Sequence, residues 1–279
     1  MSLRINTNVS SLAAQKALGR TIEEQSKILG KLSSGSRIVR AADDAAGLAI
    51  SDKLRAQIRS MDQAKRNTND AISLVQIAEG SLEEISNILV RLRELAIQSS
   101  SDTIADTERV LTNVEFQSLK KEIQRISVVT DFNGQKLLDG TVPTFEFQVG
   151  IYNNAASDRI VYDSKMITST LKALGITALS IDTKDNAQAS LGSLDKAITQ
   201  VSGKRAELGA VQNRLSSTTR NLENSVENLS AANSRIKDAD FAVETANNTR
   251  YSILTNSGSA VLNQANNQMT QTVMKLLNF

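Results

Sequence analysis

Hydrophobic residues recur one heptad apart near the end of the chain, at Leu194, Val201, Leu208, Leu215, Leu222, Leu229 and Ile236. A second column fills the first half in alternating steps of three and four: Met61, Ala64, Thr68, Ala71, Val75, Ala78, Leu82, Ile85, Leu89, Leu92 and Ala96. Only Thr68 in that series is not plainly apolar. A repeat averaging 3.5 residues keeps one stripe facing a partner helix along its whole length. The two columns therefore predict two long helical arms that fold back on each other. Between them, TFEFQVG (144–150) alternates Phe145, Phe147 and Val149 with polar residues, and DRIVYD (158–163) follows. Period-two alternation predicts a hairpin there, with the only proline, Pro143, at its entrance. The expected fold is mainly α: a long antiparallel coiled-coil rod with a small β-hairpin element at the distal turn.

Both chain ends are amphipathic. Residues 3–32 carry Ile5, Val9, Leu12, Leu18, Ile22, Leu29 and Leu32, and the last segment, 241–277, carries Leu254, Gly258, Val261, Ala265, Met269, Val273 and Leu276. These stripes predict terminal helices that must bury an apolar face. The stripes are thin, and the segments are rich in Asn, Gln, Ser and Ala. The ends are therefore expected to order on association rather than in the monomer. Breaks fall at LSSGSRI (32–38), where Asp43 or Asp44 caps the next helix, at SSSDT (99–103), and at the FNG turn (132–134). Residues 171–183 stay open between a short helix and a turn. The expected division is 1–40, 41–139, 140–186, 187–237 and 238–279. The second arm's other core column decays along the chain: Leu191 and Ile198 are followed by Arg205, Gln212 and Thr219.

Composition narrows the function. Aromatic residues make up 3% of the chain, so Leu, Ile, Val and Ala must do the packing. The 32 Lys and Arg against 30 Asp and Glu are spread along the helices, without the basic face that nucleic acid requires. No apolar run approaches a membrane span, and the N-terminus lacks the apolar core of a secretory signal. There is no Cys and no His, which removes thiolate zinc sites, Ser–His triads and the commonest general base. No phosphate-binding GxxxxGK[ST] loop occurs. Glu23–Glu24 and Glu83–Glu84 read as solvated helix faces, because adjacent helical residues point about 100° apart. No enzyme activity, metal or cofactor is expected.

Several blocks carry a more specific signal. LSSGSRIVRAADDAAGLAISDKLRAQI (32–58), NTNDAISLVQIAEGSLEEI (67–85) and FNGQKLLDG (132–140) resemble the N-terminal signature of bacterial flagellins. SRIKDADFAVETANNTRYSIL (234–254) and VLNQANNQM (261–269) resemble the C-terminal one. The resemblance spans nearly the whole chain outside 141–186, and it looks like a minimal flagellin with only the two inner domains. It departs from the family at Met269, where a Pro is usual.

The resemblance implies that the terminal helices pair as a coiled coil, with 1–40 and 238–279 forming one terminal-helix domain and 41–139, 140–186 and 187–237 the rod. It implies a structural subunit that is exported unfolded through the flagellar type III channel and polymerises into the extracellular filament. Implied partners are further copies of the chain, an export chaperone at the C-terminal helix, and the filament cap and hook-junction proteins. RLRELAIQ (91–98) resembles the segment read by the flagellin-sensing Toll-like receptor, which would place Arg91, Leu95 and Glu115 in that contact. The expected polymerisation residues are Ile5, Val9, Leu12, Leu254, Val261, Ala265, Met269 and Leu276. The expected rod seam is Leu82, Ile85, Leu89, Leu92, Leu208, Leu215, Leu222 and Leu229. A hook–filament junction protein of the same family and an intracellular coiled-coil scaffold remain as alternatives.

Overall fold

Local chemistry sets the helix ends. Helix α1 (Val9–Ser34) opens with the Asn8 side chain accepting from the Ser11 N–H and stops at Gly35, whose left-handed backbone (φ 66°) terminates the helix. In the following loop, the Asp43 carboxylate accepts from the Arg40 N–H and then the Val39 N–H, which hold its pKa below the ordinary carboxylate value. Asp44 is the cap of α2 (Ala45–Ser99): its Oδ1 accepts from the Gly47 N–H at 2.8 Å. Helix α3 (Asp106–Val129) follows after the expected Ser-rich break. Asn133 and Gly134 both have positive φ, as a tight two-residue hairpin requires, and join β1 (Asp131–Phe132) to β2 (Gln135–Lys136). Strand β3 (Thr144–Gln148) pairs antiparallel with β4 (Arg159–Asp163), placing Phe145 opposite Tyr162 and Phe147 opposite Ile160. Residues 171–183 form turns without a helix. Helices α4 (Lys184–Lys237) and α5 (Phe241–Leu277) complete the chain. The computed structural model describes residues 7–142 and 144–277, so Pro143 lies outside it.

The chain divides into two units, to both of which α2 and α4 contribute. One comprises residues 57–227 and the other 1–56 together with 228–279. The boundary differs from the expected division because it falls within the two long helices rather than at the loops flanking them.

In the central unit, α2 and α4 run antiparallel. Lys65 pairs with Glu223, Arg205 with Glu79 and Glu83, and Arg93 with Asp195, so each step forward on one helix is a step back on the other. The core runs unbroken from Ala71 to Leu215 and draws in Phe116 and Ile123 of α3, the β3–β4 pair, and Ile167, Ile176 and Ile181 of the connecting segment. Thr68 is buried, and its hydroxyl donates to the Ala64 carbonyl at 2.7 Å, so the one polar member of the first column leaves no unmet hydrogen bond.

The hairpin is formed as expected but lies elsewhere along the helices. The Gln148 carbonyl accepts from Asn67 and the Tyr152 hydroxyl lies 3.3 Å from Gln57, so its tip lies beside the start of this unit's α2 segment. The far end of α2 is closed instead by Arg109. Its buried guanidinium donates to the Ser99 and Ser101 carbonyls, satisfying acceptors that the helix terminus leaves open. Buried Lys120 likewise donates to the Thr177 and Leu179 carbonyls, and burial holds its pKa below the ordinary lysine value.

Candidate self-assembly surface

In the terminal unit α1 and α5 pair antiparallel along a heptad frame. On α1 the facing positions are Ser11, Ala14, Leu18, Thr21, Gln25, Ile28 and Leu32; on α5 they are Asn248, Tyr251, Thr255, Gly258, Leu262, Ala265 and Met269. Half of this seam is polar or lacks a side chain. Its register is marked by Asn8 donating to the Ala265 carbonyl at 3.1 Å, Ser11 donating to Asn266 at 2.7 Å, Thr255 donating to Gln25 at 3.2 Å, and a Lys31–Glu244 ion pair at 3.4 Å. The Arg37 side chain donates to the Ile236 carbonyl, and the Gly35 carbonyl accepts from Ala239, so the two interhelix connections meet as a short β-bridge. Asp240 caps α5 through the Ala242 and Val243 N–H groups.

This pairing covers few apolar side chains. Among the described residues of the unit, Ile28 and Ile38 are the buried hydrophobic ones. The expected polymerisation residues separate into two sets. Ala265 and Met269 lie half-buried on the seam against α1. Val9, Leu12, Leu254 and Val261 point elsewhere, with 65%, 55%, 44% and 56% of their surfaces exposed. Ile5 and the Leu276 side chain lie outside the described residues. Ile22, Leu29, Phe241, Val243 and Ile253 join the outward set although the sequence reading did not single them out as site residues. Their signal was phase: each is apolar but misses the three-four frame kept by the seam, except Phe241. Phe241 is in frame but lies beyond Gly35, where its partner helix has ended. Met269 keeps its backbone donor in the later part of α5, which runs on to Leu277.

In the central unit, Leu82, Ile85, Leu89, Leu92, Leu208, Leu215 and Leu222 are buried along the α2–α4 seam, whereas Leu229, in the terminal unit, is only half-buried. Of the residues aligned with the receptor segment, Arg91 and Glu115 are exposed and joined, with Nη2 2.9 Å from Oε1, and Arg91 also holds Glu94 at 3.1 Å. The Glu115 hydrogen bond, then that to Glu94, raises the Arg91 pKa. Leu95 is 1% exposed. It packs into the core beneath this pair rather than standing on the surface.

Comparison with known proteins gives this geometry its context. The family model of the bacterial flagellin N-terminal helical region matches residues 5–142, and that of the C-terminal helical region matches 191–277. A flagellin of Halalkalibacterium halodurans is 46% identical, with the alignment covering 98% of this chain and 99% of the relative. A flagellin of Bacillus subtilis is 40% identical over 99% of this chain and all of its own length. The crystal structure of Bacillus cereus flagellin superimposes with a TM-score of 0.50 at 32% identity, covering 56% of this chain and 88% of that one.

Proposed function

The chain belongs to the bacterial flagellin family and is a structural subunit of the flagellar filament; from that premise we propose that its terminal unit is the polymerisation element and its central unit a self-sufficient support. The observation that carries this reading is the outward apolar set of α1 and α5. Val9, Leu12, Ile22, Leu29, Leu254 and Val261 stand in water in the single chain. Burying each one contributes about 1.5–3 kcal/mol gross, offset by the entropy of ordering two long segments. Neighbouring copies supply the missing cover. The contact is heterologous, one face meeting a different face of the next copy, so it does not close and propagates as a helical polymer.

The remaining roles follow the family. Unfolded export and extracellular assembly suit a chain that contains no Cys to cross-link in transit. The C-terminal helix, apolar on its outward side, suits capture by an export chaperone before polymerisation, and the filament cap and hook-junction proteins would meet the same terminal helices. In the Toll-like receptor reading, Arg91 and Glu115 form the contact surface. Leu95 then acts from below, by holding α2 in place.

Electron microscopy of the seeded full chain beside a version lacking residues 1–40 and 240–279 tests the central proposal. Long uniform filaments from the full chain alone are expected. Filaments from the truncated chain, or discrete particles from both, would remove the terminal unit from the polymer contact.

A further inference from the structure

Eight glycines lie inside helices, and a side chain at six of them (Gly19, Gly30, Gly80, Gly192, Gly203 and Gly209) would meet nothing within 4 Å. Gly47 sits against its own helix cap and the loop before it. Gly258 differs from all of these. A Cβ placed there would lie 3.2 Å from Leu18 Cδ1 and 3.9 Å from Leu18 Cβ, both on the opposite helix. Leu18 therefore sits in a notch that exists because residue 258 has no side chain. Gly258 and Leu18 are both in frame on the α1–α5 seam, at its middle, and the Thr255–Gln25 hydrogen bond lies one step away on the same seam.

We propose that the Leu18–Gly258 knob and notch fixes the axial register of the terminal helix pair, and with it the shape of the polymer-forming surface. This rests on the polymerisation role assigned above to the terminal unit. The argument is one of degeneracy. A heptad frame looks the same after a slip of one repeat, and a slip moves one helix along the other by about 10 Å. The seam's side-chain hydrogen bonds are exposed or only part-buried, so they discriminate weakly between registers. A large side chain opposite the one missing side chain discriminates by shape. A slip in either direction brings Leu18 against Tyr251 or Ala265, where the notch is filled. The outward residues sit on both helices: Val9, Leu12, Ile22 and Leu29 on α1, Leu254 and Val261 on α5. A neighbouring copy can be complementary to both sets only at one offset. Gly258 is thus a positioning residue: it touches no neighbour itself and sets where the residues that do are presented.

The test is a size swap in the full chain. Gly258→Leu fills the notch with a better helix former, so monomer helix content is expected to hold or rise. The concentration needed for seeded filament growth is expected to rise about tenfold or more. Adding Leu18→Ala to Gly258→Leu returns the knob to the other helix and is expected to recover most of the loss. Normal growth of the single variant overturns the proposal, as does a double variant no better than the single. Val261→Asp serves as the control. If it also grows normally, the polymerisation reading itself fails, whereas its failure beside a normally growing Gly258→Leu overturns the register proposal alone.

Discussion

The central and terminal units are built from the same device, antiparallel helices in a heptad frame, and reach opposite ends. From Ala71 to Leu215 the α2–α4 pair shares its core with further elements: α3, the hairpin and the connecting segment all add buried side chains to it. In the terminal unit the α1–α5 pairing buries little, and Val9, Leu12, Leu254 and Val261 stay exposed. One column makes the contrast directly. Leu194, Val201, Leu208 and Leu215 are buried, Leu222 is 9% exposed, and Leu229 and Ile236 are half-buried, although nothing in their spacing changes. A hydrophobic column reports that a helix seeks a partner; burial depends on how many partners the fold supplies. Where the single chain stops supplying them, apolar side chains stay exposed.

The sharpest way to break the contrast is to place the same charge in each unit. Leu215→Asp puts a carboxylate into the central unit's core. Even Leu→Ala at such a site costs about 2–5 kcal/mol, so a large fall in monomer melting temperature by circular dichroism is expected. Val261→Asp should instead abolish seeded polymerisation while leaving the monomer's melting curve and helix signal nearly unchanged. If Val261→Asp destabilises the monomer as Leu215→Asp does, the two units are not distinct in kind.

A smaller effect probes how the central unit closes its ends. Arg109→Ala leaves the Ser99 and Ser101 carbonyls without their donor, at a cost of about 1–3 kcal/mol in denaturant titration. Polymer growth measured below the melting range should be unaffected. Smallest is a pH effect at Lys120, whose burial lowers its folded-state pKa below the ordinary 10.5. Between those two values the unfolded chain binds more protons than the folded one, so this group's contribution to stability rises with pH. Relative to Lys120→Met, the parent chain should gain melting temperature from neutrality toward that upper value. A gap that stays constant would mean that the ammonium is not penalised by burial.

Much of this was legible in the sequence. The heptad columns placed α2, α4 and their seam, alternation placed β3 and β4, and Asn–Gly placed the β1–β2 turn, because each signal is local and periodic. The hairpin's position was not, since contacts such as Asn67 with Gln148 join segments far apart in sequence. The burial of Leu95 was hidden for a related reason. It stands one position outside the α2 column that faces α4, yet it joins the core, and nothing in 91–98 reveals what covers it. In the terminal unit the apolar stripe was legible but its direction was not. The intramolecular seam is carried by Thr21, Gln25, Asn248 and Thr255 as much as by Leu18 and Ile28, and the stripe mixed residues of the seam with residues that face away from it. Apolar phase alone does not distinguish a helix's partner within the chain from its partner in the next copy.

Amide hydrogen exchange on the full chain, measured once as monomer and once as filament, tests the account most directly. Slow exchange is predicted across 71–215 in both states. In α1 and α5, fast exchange is predicted in the monomer and slow exchange in the filament. Terminal helices as protected in the monomer as in the filament would contradict the claim that neighbouring copies complete them.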